Sequence, residues 1–395
     1  MEIKNLFITN LLKDIFSLPI WLYHYYFGKR DPKTWVFGAW FGTSYSDNAK
    51  AVYEYVLENN PDINAFWITT NPDVFQMLKS AKKPVVMKGT KESRIVCSKA
   101  GYVFITQTAS ELDLLYIGGA KQVWLWHGMP LKKIGDDFKQ KENLKNKIHK
   151  LFPQNHFNRP DWFISISHKW DEILKSAYPI KDVIITGLPR TDSFFDKSTT
   201  PFIQQINKTF HNPLKILYMP TFRDPQYNNK IPFNPFTMFG FSMDKFNSCL
   251  HSNNAVFMYK GHFCDLQYKT EYPQNENRFI VLKDSMYSDL YSLIKDADIL
   301  MTDYSGVYFD FLLLNKPIIL TPFDKDEYCS TSREMYFDYE KEIEGVKANN
   351  WDEVIKILNE KHYFIPSKET ICKFNEYQDG NSTKRVVDHI RHLIQ

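Results

Sequence analysis

Twice along this chain, short apolar runs alternate with stretches of helical period, and that alternation leaves few folds open. The first series is WVFGAW, NAFWITT, YVFITQ, QVWLW, DWFISIS and DVIITG, rich in β-branched and aromatic residues and bounded by turn formers. Between them lie amphipathic segments such as DNAKAVYEYVLENN, with Ala51, Val52, Tyr55 and Val56 as its apolar positions, and HKWDEILKSAY. Such alternation predicts a parallel sheet with helices on both faces. Around residues 193–213 the pattern lapses into polar sequence with Ser, Thr, Asn and Pro, the expected boundary. It restarts with LKILYMPT, VFMYKGH, RFIVLK, DILMTDYS and PIILTPFD as strands, and MYSDLYSLIKDA and NWDEVIKILNEK as helices. The expected fold class is α/β, with two Rossmann-like, doubly wound domains and function outside the carboxyl ends of the strands. We expect an N-terminal segment at 1–34, a first domain at 35–200, a second at 201–380, and a terminal helix at 381–395 that crosses back to the first.

A length of 395 residues suits two domains, and 43% hydrophobic with 24% charged residues is a globular composition. A net charge of +3 is too small to argue for nucleic acid as a partner. The five cysteines are scattered and never arranged as CxxC, which favours free thiols and indicates no zinc site. Aromatics at 16% need either burial or a membrane surface. The N-terminal NLFITNLLKDIFSLPIWLYHYYFGKR is interrupted by Lys13, Asp14, Pro19 and His24, so it is a poor spanning helix, and it lacks the pattern of a signal peptide. It reads either as a helix packed on the core or as an interfacial helix. In the second case Trp21, Tyr23, Tyr25 and Tyr26 sit at headgroup depth, with Lys29 and Arg30 toward anionic lipid.

Four polar clusters end predicted strands: His127-Gly128, then Thr221 with Arg223 and Asp224, then Lys260 with His262, and finally Thr302, Asp303, Tyr304, Ser305 and Gly306. In the last, a helix expected from about Gly306 offers free N–H groups to a phosphate, with Ser305 as cap or hydroxyl donor. Asp303 and Ser305 also read as mere turn and cap residues. His127 and His262 read either as structural histidines or as a pair able to take a proton from an attacking hydroxyl and steady a phosphate. Arg223 and Lys260 are cations suited to phosphoryl oxygens, or else surface ion-pair partners. The basic tract at 132–150, starting with Lys132 and Lys133, is either solvated or a guide for an anionic, lipid-linked acceptor.

Seven strings in order carry a resemblance: FGAWFGTSYSDN, WHGMPLKKIG, GLPRTD, YMPTFRD, KGH, TDYSGVYFDFLLLNKPIIL and FDKDEYCSTSREMYFDYE. From residue 37 to its end, the chain resembles the CDP-glycerol glycerophosphotransferases of teichoic-acid and capsule synthesis. The resemblance implies a GT-B fold, two Rossmann-like halves facing a central cleft. It also implies transfer of glycerol phosphate from CDP-glycerol to an acceptor hydroxyl, with release of CMP. By position, His127 matches the base on the acceptor, and Gly128, Lys132 and Lys133 lie on the acceptor side. His262 and Arg223 match residues that hold the donor phosphates, with Thr221 and Lys260 beside them. Thr302, Asp303, Tyr304 and Ser305 match the pyrophosphate loop, and Asp310 lies on the following helix. Asp324, Glu327, Tyr328 and Arg333 match the region that reads the rest of the donor. Two departures stand out. Gly306 replaces a second serine, and Phe263 replaces the proline of KxHP.

No cofactor and no obligatory metal are expected, since CMP leaves without much acid assistance and no DxD-like pair stands out. The expected partners are CDP-glycerol, a lipid-linked saccharide or capsule-linker acceptor, and the cytoplasmic face of the bacterial plasma membrane, held peripherally. Self-association is left open. A priming enzyme is favoured over a long-chain polymerase because little sequence lies outside the two halves. CDP-ribitol as donor, and a nucleotide-sugar transferase on the same fold, are the alternatives.

Overall fold

The computed structural model describes residues 2–138, 148, 152, 160–223, 233–261, 278–287 and 289–394. Internal contacts divide the chain into two units. Unit 1 comprises Met1–His127, Gly135–Asp192 and Asp379–Gln395, and unit 2 comprises Gly128–Ile134 and Ser193–Gln378. The division falls at Asp192/Ser193, earlier than the boundary expected at residue 200. Phe194 packs on Tyr291 of unit 2 with ring centroids 6.0 Å apart, which assigns the polar connection to the second unit.

Unit 1 holds a seven-stranded parallel sheet in the order β3-β2-β1-β4-β5-β6-β7. Its strands are β1 (Asp31–Phe37), β2 (Asn64–Thr69), β3 (Val85–Met87), β4 (Ala100–Ile105), β5 (Lys121–Trp124), β6 (Trp162–Ser165) and β7 (Asp182–Ile185). Six coincide with the apolar runs; β3 does not. It is a three-residue edge strand following Pro84, too short for period two to register. The central strands are apolar on both faces: Trp35, Phe37, Phe104 and Val103 are fully buried, and Phe37 stacks on Phe104 at 4.5 Å.

Unit 2 holds a six-stranded parallel sheet in the order β10-β9-β8-β11-β12-β13. The strands are β8 (Leu214–Met219), β9 (Ala255–Tyr259), β10 (Phe279–Val281), β11 (Ile299–Thr302), β12 (Ile318–Leu320) and β13 (Val346–Lys347). Only the two-residue β13 lies outside the predicted set. A core of Tyr218, Phe236, Phe246, Phe257, Tyr259 and Trp351 fills one face of this sheet. Much of the aromatic excess is therefore core.

The terminal helix Ser382–His392 belongs to unit 1. Asp192 of GLPRTD accepts hydrogen bonds from Ser382 N and Thr383 N at 2.9 and 2.8 Å, satisfying two of the N–H groups a helix start leaves open. The N-terminal helix Glu2–Phe27 also lies in unit 1. Its Trp21 backbone approaches so closely that a Cβ on Gly118 would lie 2.9 Å from the Trp21 carbonyl oxygen. His24 packs on Tyr116 at 5.0 Å. Arg30 faces inward, in keeping with the core-packed reading of this segment and not with the interfacial one. Its guanidinium donates to the carbonyls of Cys97, Tyr116, His24 and Gly118, fastening the helix end. The opposite face is bare: Leu12, Phe16, Ile20, Tyr23 and Phe27, spaced as one helical stripe, are exposed, Phe16 by 74% and Phe27 by 72%. No described helix is long and apolar enough to cross a membrane.

Candidate active site

In unit 1 the chemistry gathers beyond the carboxyl ends of adjacent strands β1, β4 and β5. Strand β5 stops at Trp124, two residues short of the predicted run, because Trp126 takes φ +53° and leaves the extended region. His127 follows, half-buried, with its ring centroid 4.2 Å from that of Trp126 and 5.7 Å from that of Trp40. Its Nδ1 lies 3.4 Å from the carbonyl oxygen of Thr106, which follows β4. A carbonyl there accepts from Nδ1–H and selects the tautomer whose Nε2 carries the lone pair. Gly128 has φ +120°, a value that glycine adopts without the Cβ penalty.

Three residues that sequence reasoning did not single out hold this corner. Asn48 donates to the carbonyls of Leu125 and Trp126 at 2.9 and 3.0 Å and accepts from Arg190 N at 3.0 Å. The Arg190 guanidinium pairs with Asp47 at 2.9 Å, both side chains 4% exposed, and Asp47 also accepts from the Trp40 indole. Their signal was present in the strings GTSYSDN and GLPRTD. Only the fold brings them together.

In unit 2 the residues predicted to grip phosphate form a buried cluster. Asp303, just after β11, accepts from Thr221 N at 2.8 Å and pairs with the Arg223 guanidinium at 2.8 Å. Arg223 donates from Nε and the second terminal nitrogen to both oxygens of Asp324 at 2.8 and 2.7 Å, and to the Thr221 carbonyl at 2.6 Å. Three rings surround the guanidinium: Phe233 at 4.3 Å, Tyr328 at 4.8 Å and Tyr304 at 4.9 Å. The Tyr304 hydroxyl donates to Asp324, and Tyr339 donates to the Asp303 carbonyl. The Arg223 side chain has no exposed surface. Burial disfavours its charge, but Asp303 and Asp324 more than reverse this and hold it firmly cationic. Arg223 is thus placed as the tie between the loops after β8, β11 and β12, not as a surface contact for phosphate. Asp303, Asp324, Tyr304 and Tyr328 are placed with it.

The remaining positions separate. Thr302 is buried and donates to the Met219 carbonyl. Ser305 and Gly306 are partly exposed, and the Ser305 oxygen lies 3.5 Å from Val307 N. The helix that follows, Val307–Phe311, has only five residues and so a small dipole. Asp310 is buried in it and accepts from the Tyr291 hydroxyl at 3.4 Å. A Cβ on Gly306 would lie 2.6 Å from the Met129 carbonyl oxygen, so the serine of the pattern would meet backbone here. Lys260 pairs with the exposed Asp284 at 2.9 Å. Glu327 is exposed. Asp324 and Glu327, with Phe239, Phe323, Lys325 and Asn349, line a cavity of about 520 Å³. His262, Asp224, Phe263 and most of the 132–150 tract lie outside the described residues.

Lys132 and Lys133, expected on the acceptor side, belong to unit 2 through the segment Gly128–Ile134. Lys133 N donates to the Glu334 carbonyl, Tyr336 N donates to that of Leu131, and Lys133 pairs with Glu334. The Lys132 ammonium lies over the Tyr328 ring, 5.9 Å from its centroid. Burial, then the charges of Arg333 and Arg223, push its pKa down to about 7 against the pull of Asp303.

The comparisons with known proteins meet this geometry. The profile of the CDP-glycerol:poly(glycerophosphate) glycerophosphotransferases matches residues 22–392. The chain belongs to that family. A teichoic acid glycerol-phosphate transferase of Staphylococcus aureus is 28% identical over 97% of this chain and 99% of its own length. A teichoic acid poly(glycerol phosphate) polymerase of Bacillus subtilis is 26% identical over 98% of this chain, which spans about half of that relative, 52%. The solved wall teichoic acid polymerase TagF superposes with a TM-score of 0.73 at 22% identity, covering 100% of this chain and 98% of that one. The fold is accordingly GT-B, as expected. As a member of its family the chain is a CDP-glycerol glycerophosphotransferase.

Two predictions follow from the unit 2 cluster. Arg223→Met leaves Asp303 and Asp324 buried without a counter-charge and should cost about 3–5 kcal/mol in urea unfolding. Arg223→Lys should recover little, since an ammonium cannot serve both oxygens of Asp324 in one plane. Wild-type stability in either variant would sink the structural role. For Lys132 the sign is fixed by its lowered value: the amine is charged below about pH 7 and neutral above it. Only the charged form attracts a diphosphate. KM for CDP-glycerol should therefore rise as pH climbs from 7 to 9, by at most about tenfold per unit. Lys132→Arg should flatten that rise, and a flat wild-type profile would contradict it.

Proposed function

We propose that this transferase moves glycerol phosphate onto a hydroxyl of a lipid-linked saccharide, adding one or a few units, at the cytoplasmic face of the plasma membrane. The reading rests on one observation above the others: His127 stands in the turn just beyond a buried strand with Nδ1 toward a backbone carbonyl. In this orientation Nε2 takes the proton as the acceptor oxygen bonds to the glycerol-bearing phosphorus. The bond from that phosphorus to the bridging oxygen breaks, and CMP leaves with the electron pair. Charge on the phosphoryl oxygens is met by N–H groups of the loop at Ser305 and Gly306, set in place by the Tyr304 N–H that donates to Asp303, and by the cations Lys132 and Arg333. Asp324, Glu327 and the adjoining cavity, of a size suited to a small ligand, take the rest of the donor. His262 completes the donor side by its place in the family pattern.

No metal is assigned to the reaction. The acidic groups nearest the loop, Asp303 and Asp324, are engaged by Arg223, and no cluster of three His, Cys, Asp or Glu side chains arises among the described residues.

The decisive experiment offers the purified protein CDP-glycerol, CDP-ribitol and UDP- and GDP-sugars, with saccharide-lipid acceptors, and weighs the product. We expect one or a few glycerol phosphate increments with CMP release, persisting in EDTA and falling by at least about 10²-fold in His127→Ala. Ribitol phosphate or hexose increments, long polymers, or activity restored only by a divalent ion would each overturn the corresponding element.

Membrane attachment is assigned to the exposed stripe of the N-terminal helix, an apolar face beside Lys29. Sedimentation with phosphatidylglycerol vesicles should retain the wild type and release a Phe16→Ser, Tyr23→Ser, Phe27→Ser variant. Equal retention of both would assign the contact elsewhere.

A further inference from the structure

Glu111 is a fully buried carboxylate whose contacts are unusual for a buried acid. No cation pairs with it among the described side-chain contacts. Its oxygens instead accept from Thr106 N at 2.9 Å, the Thr106 hydroxyl at 2.7 Å and Gln107 N at 2.8 Å. All three donors belong to the turn that leaves β4, four and five residues before it in the chain. Burial pushes its pKa up, and these hydrogen bonds pull it back. The carboxylate is let into this place by Gly38 at the end of β1, where a Cβ would come within 2.9 Å of the Glu111 Cβ.

The turn it organises touches the histidine by two routes. The Thr106 carbonyl faces His127 Nδ1 at 3.4 Å. The Thr106 hydroxyl, oriented by donating to Glu111, accepts from Trp40 N at 3.1 Å, and the Trp40 ring packs 5.7 Å from that of His127. Trp40 itself stands at φ +48°, a conformation an aromatic residue keeps only when its surroundings dictate it. Glu111 thus fixes both the acceptor of the imidazole N–H and one wall of its slot, without touching the ring.

We propose that Glu111 is a positioning residue for His127: it holds the Thr106 carbonyl and Trp40 so that the ring stays in its Nδ1–H tautomer with Nε2 as base. The proposal rests on the reading of His127 as the base. The 3.4 Å separation is long for a hydrogen bond, as is common before a substrate closes the site.

The test combines kinetics with ring-nitrogen NMR of protein labelled with ¹⁵N-histidine, the His127 signals being assigned by their loss in His127→Asn. In the wild type the neutral ring should be the Nδ1–H form, opposite to the one a solvated histidine favours. Glu111→Ala should shift it toward Nε2–H and lower kcat by about 10- to 100-fold, the range for groups that orient a functional histidine. KM for CDP-glycerol should stay within about twofold, since donor binding is untouched. Glu111→Gln, which keeps one acceptor oxygen, should fall between the two.

An Nε2–H ring in the wild type overturns the proposal without any variant. So do folded Glu111 variants whose ring spectrum and kcat match the wild type. If Glu111→Ala does not fold, Glu111→Gln decides by the same two readouts. His127→Ala separates the two levels: full activity there defeats the base itself, whereas loss there with no effect at Glu111 defeats only the positioning.

Discussion

The second unit is organised around one guanidinium. Arg223 is a long, obligatorily charged side chain with no contact to solvent, and removing it from water carries a penalty of several kcal/mol. The fold meets this with a planar, two-oxygen contact to Asp324, an ion pair with Asp303 and three aromatic faces. Guanidinium geometry suits both demands, the fork to the carboxylate and the flat faces to the rings. The result joins loops that leave β8, β11 and β12, three neighbouring strands with no other obligation to end at one point. Asp303 matters doubly, because the oxygen that does not face Arg223 receives Thr221 N and Tyr304 N and so sets the backbone on both sides. Backbone N–H groups aimed at an anion are useful only if they do not move, and this cluster immobilises them.

Unit 1 solves a similar problem with different means. Trp40, Phe41, Asp47 and Trp126 all have positive φ, each a cost of order 1 kcal/mol or more in a residue other than glycine. Two of them, Trp40 and Trp126, pack on the ring of His127. The buried pair of Arg190 and Asp47 and the fully hydrogen-bonded Asn48 over-determine the backbone there, so that the strained turns have no cheaper alternative. Strain of this kind does not stabilise anything by itself. It marks where the chain has been bent to aim a side chain.

Architecture was legible in the sequence because it depends on period, and period survives in one dimension. Eleven of the strands announced themselves as apolar runs, and the exceptions, β3 and β13, are edge strands of three and two residues where alternation has no length to show. The positions of the strand-end clusters were legible for the same reason. What each charged residue does there was not. A sequence displays the charge of Arg223 but not its burial, and the same letters serve for a phosphate contact and for an internal ion pair. For Lys132, proximity in sequence to His127 likewise hid the grouping of Gly128–Ile134 with the other unit. Arg30 shows the same difficulty: its letter served equally for a lipid contact and for a core fastening, and four carbonyls select the second.

These corrections sharpen what remains for the donor. With Arg223 engaged by Asp303 and Asp324, the proposed contacts to the diphosphate pass to the partly exposed Lys132 and Arg333, and the charge of Arg333 depresses the Lys132 ammonium when no anion is present. Fixed cations crowded together cost free energy in the empty protein. On the proposed reading a diphosphate bound there relieves that repulsion, so part of its affinity would be stored beforehand in the fold. Arg223 contributes without contact, because its positive charge adds to the pressure on Lys132 while Asp303 and Asp324 keep it from competing for the ligand. The buried triad therefore has two consequences from one geometry: it freezes the loop that offers N–H groups, and it sets the potential in which the accessible cations wait. A hydrophobic replacement of equal volume could supply the first and not the second, which gives a physical reason for keeping ions where apolar packing would serve stability as well.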